Sequence, residues 1–267
     1  MSCPLPPEIL DLVVDHLHDE QTTLNACCLV SKSWIPRTRK YLFAHLRLHH
    51  TDRPIQSWKQ TFPDPSNSPA HHVSSLFLHA IRASTLAAPD LGPWFRSFNR
   101  VGTLRVTLEF SALDQVSLVQ LRGFSPTLKS LCLDHTHIPL SEIFNLVCSF
   151  PLLEDLELFT HGPANGINEW DPPLTSPKLT GTLKIVGEIR FTAHRLCGLP
   201  GGLHFSKIML SLYKKDATPA MDLVSRCSDT LESLLISFYA WGMFTLASVI
   251  GQHLTAGCEY RHRHAFT

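Results

Sequence analysis

Apolar residues recur along this chain in one short phrase, apolar-x-x-apolar-x-apolar. It reads Phe43-Leu46-Leu48, Val73-Leu76-Leu78, Val101-Leu104-Val106, Leu128-Leu131-Leu133 and Leu153-Leu156-Leu158, then a weaker Thr180-Leu183-Ile185, then Phe205-Ile208-Leu210 and Leu231-Leu234-Ile236. The opening positions fall 25 to 30 residues apart. The last two positions of each phrase alternate with other residues, which predicts a strand with one face buried. Helix stripes follow several phrases: Leu91, Trp94, Phe95 and Phe98; Leu140, Ile143, Phe144 and Val147; Ala220, Leu223, Val224 and Cys227. Leu246, Val249, Ile250 and His253 nearly repeat the spacing and predict one more helix. One strand and one helix cannot bury their own apolar faces, whereas stacked copies can.

The period approaches the 20–29 residues of leucine-rich repeats. Residues 73–254 are therefore read as an α/β solenoid, a curved leucine-rich-repeat-like array of short parallel strands and helices. The competing reading is an ordinary α/β domain. In the array the strands line a concave face, and side chains between the apolar strand positions point outward. Strand alternation makes Ser130, Cys132, Asp155, Glu157, Ser233 and Leu235 candidate substrate contacts. Residues 46–72 form a linker with a short helix at Ile55–Phe62. Gly162 to Pro177 is a proline-bearing loop, and its Trp170 and Asp171 either contact a partner or pin the loop. Residues 255–267 read as a tail, not as a capping repeat.

Residues 1–45 form a separate helical module. Leu10, Val13, Val14 and Leu17 share one helix face, Pro6 or Pro7 suits the first turn, and Glu8 complements the helix dipole. His18 to Thr23 closes that helix, and Thr22 or Thr23 is placed to cap the next, over Leu24 to Ser31. Pro36 breaks the chain before a third short helix, Arg37 to Phe43. Three such helices bury little area, so the module needs a partner or the rest of the chain.

Leu5-Pro6-Pro7-Glu8-Ile9-Leu10, Val13-Val14, Leu17, Leu24 and Cys28-Leu29-Val30-Ser31-Lys32-Ser33-Trp34 together resemble an F-box. With Arg39-Lys40-Tyr41-Leu42-Phe43, this version is similar to the F-box-like proteins abundant in mushroom-forming fungi, in which irregular repeat arrays follow the F-box. The resemblance implies that the helices dock on the Skp-type adaptor of a cullin ubiquitin ligase while the remaining chain holds a protein substrate. Carried over residue by residue, it assigns adaptor binding to Leu5, Pro6, Ile9, Val13, Leu29, Val30 and Trp34. Leu10, Val14, Leu17, Leu24 and Cys28 are left as the core of the three helices.

Composition narrows the alternatives. Apolar residues make up 44% of the 267-residue chain, enough for a packed core. Lys+Arg and Asp+Glu both total 23, so overall charge argues for neither nucleic acid nor an anionic membrane as partner. The eight cysteines form no C-x-x-C pair or scaffold spacing. The acidic first twenty residues argue against a signal peptide. Cytosol or nucleus is the expected compartment. Leu234 to Ile250 lacks charged residues and approaches the length of a membrane span. Trp241-Gly242 interrupts it, and it is read as a strand followed by a buried helix.

No nucleophile elbow, phosphate-binding loop or H-E-x-x-H motif is present. His135-x-His137 and Cys258 with His262 and His264 do not supply four local zinc ligands. No cofactor or metal is expected, and the chain is read as an interaction protein, not an enzyme. Lys32, Arg37, Arg39 and Lys40 form a basic cluster at the end of the module. The function expected is substrate recognition in a Skp-cullin-F-box type ligase. The alternative is a repeat scaffold with no ligase role, in which the N-terminal helices act as a cap.

Overall fold

The computed structural model describes residues 6–49, 52–81, 92–108, 115–124, 126–135, 140–160, 174–187, 189–213, 217–240 and 243–250. Leu5, Trp170, Asp171, His137 and residues 255–267 lie outside them. The chain folds as an α/β protein. Among the described residues there are nine α-helices and one nine-stranded sheet.

Three helices come first. α1 (Pro7–His16) starts after Pro6, with Pro7 and Glu8 in its first turn and His16 in its last, as backbone chemistry and the helix dipole favour. α2 (Gln21–Val30) begins three residues earlier than its apolar stripe suggests. Neither Thr22 nor Thr23 caps it. Glu20 occupies the cap position, accepting the Leu24 amide on its carbonyl at 2.9 Å, and Thr23 donates its hydroxyl to the Glu20 carboxylate at 2.9 Å. Ser31 is extended and ends the helix. Its hydroxyl accepts the Ser33 amide and opens a single 3₁₀ turn, Lys32–Trp34. α3 (Ile35–Leu42) then starts two residues before the expected Arg37. Pro36 falls in its first turn, where the missing N–H costs no hydrogen bond.

All eight apolar phrases become strands: β1 (His45–His49), β2 (Ser75–Ile81), β3 (Thr103–Leu108), β4 (Ser130–His135), β5 (Asp155–Thr160), β6 (Thr182–Gly187), β7 (Lys207–Tyr213) and β8 (Ser233–Ala240). They lie side by side in chain order and pair in parallel. Parallel neighbours need crossovers, and most of these carry a helix. These are α4 (Asp52–Thr61), α5 (Gly92–Ser97), α6 (Gln115–Arg122), α7 (Leu140–Cys148), α8 (Arg190–Cys197) and α9 (Ala217–Arg226). α6 and α8 have no counterpart among the predicted stripes.

Register explains why the phrase repeats. Its second position forms one unbroken ladder across the sheet, Leu46, Leu76, Leu104, Leu131, Leu156, Leu183, Ile208 and Leu234. Its third forms another, from Leu48 to Ile236. From Leu76 onward the first ladder is buried, and the helices cover it with Phe95, Leu118, Leu121, Phe144, Val147 and Leu196. The first position lies in the turn that leads into each strand, buried at Val73, Val101, Leu128, Leu153 and Phe205 and partly buried at Phe43, Thr180 and Leu231. Those turns stack as well: the amides of Gly102, Lys129, Glu154, Gly181, Ser206 and Glu232 each donate to the turn before, at 2.8–3.1 Å.

One expectation is overturned. Leu246, Val249 and Ile250 do not lie on a helix. Met243–Ile250 is strand β9, antiparallel to β8 with Ala240 opposite Met243. Only two residues separate the strands, the spacing of a hairpin, and Phe, Thr, Val and Ile favour the pleated surface. Among the described residues no helix is long and apolar enough to cross a membrane.

Candidate functional site

Two surfaces carry the residues singled out by sequence. The first belongs to the N-terminal helices. Asp15 on α1 accepts from Arg37 Nε at 2.6 Å, from a second nitrogen of that guanidinium, and from the Tyr41 hydroxyl at 2.7 Å. The Arg37 bonds, then the Tyr41 bond, hold the Asp15 carboxyl well below the usual carboxylate range. The hydrogen bond to Asp15, with partial burial and the Asp15 charge, pushes the Tyr41 phenol up. α2 is tied in by Cys28, whose thiol meets the Thr38 hydroxyl at 2.9 Å, while Thr38 donates to the Trp34 carbonyl. Val14, Leu24 and Cys27 are buried between the helices, and Leu10, Leu17 and Cys28 are partly covered.

With the inner face filled, the outer one remains apolar. Ile9 is 44% exposed, Val13 43%, Leu29 89% and Val30 70%. Pro6 is exposed and Trp34 half-buried. Leu12, which sequence reading passed over, is 59% exposed. It shares a helix face with Ile9 and Val13, since positions three and four apart stack on one side. Its signal was available in the sequence as an apolar residue off the inner stripe. In the basic cluster Arg37 is occupied by Asp15, and the Lys40 ammonium lies 5.1 Å from the Tyr41 ring centroid.

The second surface is the sheet face opposite the leucine ladders. Ser130 pairs in register with Asp155, and Cys132 with Glu157, so these four lie together on β4 and β5. Ser233 and Leu235 share the face but lie on β8, three strands away. Cys132 is buried, and that burial, with the Glu157 charge beside it, pushes its thiol up to about 12. Asp155 accepts the Thr182 amide at 2.5 Å and so serves the turn into β6.

Sequence reasoning missed a row in the same column. The residue between the two ladder positions is Arg47, Phe77, Arg105, Cys132, Glu157, Lys184, Met209 and Leu235 from β1 to β8. Arg47 and Arg105 both lie over Phe77, and Arg105 and Lys184 over Phe159. Lys184 also pairs with Glu157. The His79 ring packs 5.3 Å from both His49 and Phe77. The phrase itself marks these residues, because each stands between two leucine-type positions.

Among the described residues no three His, Cys, Asp or Glu side chains converge as a metal-ligand set. Comparison of the chain with protein-family models, curated proteins and solved structures finds no match.

Proposed function

We propose that this chain is the substrate-recognition subunit of a Skp-cullin-F-box type ubiquitin ligase. In this reading α1–α3 form the F-box and dock on the Skp-type adaptor. The sheet and its helices form a leucine-rich-repeat-like solenoid whose open face takes a protein substrate. The chain does no chemistry itself. It raises the local concentration of a target beside the ligase by binding both.

The observation that carries the reading is the exposure of Ile9, Val13, Leu29 and Val30 on helices already packed against one another. Clustered exposed apolar residues mark interaction sites, and this reading takes the four as one such patch. The in-register ladders and stacked turns support the solenoid reading, because each repeat then adds the same layer to one core. Cytosol or nucleus suits six free cysteines among the described residues.

A second reading, a scaffold capped by these helices, draws on the contact between α3 and the 3₁₀ turn Pro69–His72. A cap turns its apolar face inward, and here that face is open.

Co-purification of the full chain with a Skp-type adaptor tests the proposal. A stoichiometric complex is expected, and Leu29→Ala with Val30→Ala should abolish it. A folded chain that captures no adaptor sinks the ligase reading and leaves the scaffold.

A further inference from the structure

Arg105, on β3, stands on the open sheet face between two aromatic rings. Its guanidinium carbon lies 5.3 Å from the centroid of Phe77 on β2 and 5.8 Å from that of Phe159 on β5. Arg47, on the other side of Phe77, lies 6.0 Å from the same ring. Arg47, Phe77 and Arg105 are register partners on three consecutive strands, so the order cation, ring, cation is fixed by the sheet.

Ring faces attract a guanidinium but take none of its N–H donors. Among the described residues no carboxylate is paired with Arg47 or Arg105. Arg105 Nε is shielded from solvent and has no acceptor. Lys184 makes the contrast, since it rests on Phe159 at 4.9 Å and is neutralised by Glu157. A shielded donor without an acceptor is costly, and a charged acceptor offsets that cost best. The rings therefore hold two guanidinium forks in place for an anionic group from outside.

We infer that β1–β3 bind an acidic, extended segment of the partner protein carrying two carboxylates three residues apart. The inference rests on the reading of this face as the substrate side. Two strand spacings separate Arg47 from Arg105, about 10 Å at the backbone. In an extended left-handed segment, side chains three residues apart lie on one side, about 9 Å apart. The match sets the spacing. Strand charges set the length. Past Arg105 the row continues with Cys132 and the Lys184-paired Glu157, which offer a longer polyanion no further free cation. With a balanced overall charge as well, the site suits a short acidic stretch of protein better than a nucleic acid.

The test is peptide selection on the full chain from a random library, followed by fluorescence anisotropy on a selected peptide. Enrichment of Asp or Glu at positions i and i+3 is expected. Replacing both acids by Asn or Gln should weaken binding about tenfold or more, the loss typical of a charged hydrogen bond. The doubly substituted chain Arg47→Glu with Arg105→Glu should lose the acidic peptides and select basic ones. Peptide changes read out on the unaltered chain, so the inference stays testable if that variant misfolds. Absent enrichment, neutral peptides, or acidic peptides that bind as well with the acids replaced overturn it, as does equal binding of a single-stranded oligonucleotide. Adaptor capture is measured separately. Acid selection without adaptor capture would sink the ligase reading and leave this site standing. Adaptor capture without acid selection would do the reverse.

Discussion

Arg37 on the third helix grips the Asp15 carboxylate on the first with two nitrogens, and Tyr41, one turn further on, adds its hydroxyl to the same group. A two-pronged arginine–carboxylate contact fixes orientation as well as distance. One carboxylate thus sets how α1 lies on α3, and with it where Ile9 and Val13 face.

That contact predicts a pH dependence. The Asp15 carboxyl titrates below its ordinary value in the folded chain. Its contribution is therefore complete above the unfolded value, about 3.9, and is lost as pH falls through the lowered folded value. The protection of α1 amides, measured against their intrinsic exchange rate at each pH, should fall on acidification below about pH 4. In Asp15→Asn the α1 amides should exchange faster at neutral pH, with a flatter acid response. An unchanged acid response in that variant would assign the effect to other groups.

Exposure divides the apolar residues of this small module into an outer set and a core set. Leu24 is 1% exposed and Leu29 is 89% exposed, five positions along the same helix. Leu24→Ala should cost about 2–5 kcal/mol of stability. Leu29→Ala should stay within about 0.5 kcal/mol, as surface changes do. Chemical denaturation of the two variants decides it. A large loss for Leu29→Ala would place that side chain in a packed interior.

Much of the fold is legible in the sequence, because the phrase that makes each strand also makes its neighbour's ladder. Leu131 predicts Leu156, and Leu156 predicts Leu183. What fails is local. β9 carries Leu246, Val249 and Ile250 at a spacing that fits a helix, and over eight residues periodicity alone does not separate the two. α6 was missed because Ser117 is buried beside Leu118 while Val116 and Val119 are exposed, so its apolar stripe is blurred. Alternation along a single strand points to Glu157 but not to its neighbour Lys184 on the next strand. The Arg47-Phe77-Arg105 row exists only across strands, and it emerges once register is known.

The two faces of β5 should respond very differently to substitution. Leu156 is 1% exposed in the ladder, and Leu156→Ala should cost about 2–5 kcal/mol. Glu157, the next residue, pairs with a partly exposed Lys184. Glu157→Ala should cost no more than about 1 kcal/mol, because solvent screens such a pair. Urea denaturation with both variants checks the alternation directly. Equal costs would mean that both faces of the sheet are packed.

Cysteine reactivity gives a probe of the folded sheet that needs no partner. Burial pushes the Cys132 thiol up to about 12 and that of Cys148 up to about 11. The thiolate is the reacting species, so at pH 8 its fraction at either site is small, and the protein also blocks access. Both cysteines should resist alkylation in the native chain and react readily in denaturant, as read by mass spectrometry of digested protein. Cys132 adds a specific expectation, since Glu157 stands beside it and opposes thiolate formation. Glu157→Gln should lower the thiol's pKa while leaving it mainly set by burial, so native Cys132 should remain slow. Rapid labelling of Cys132 in the unaltered chain would mean that its thiol is not buried on the sheet face.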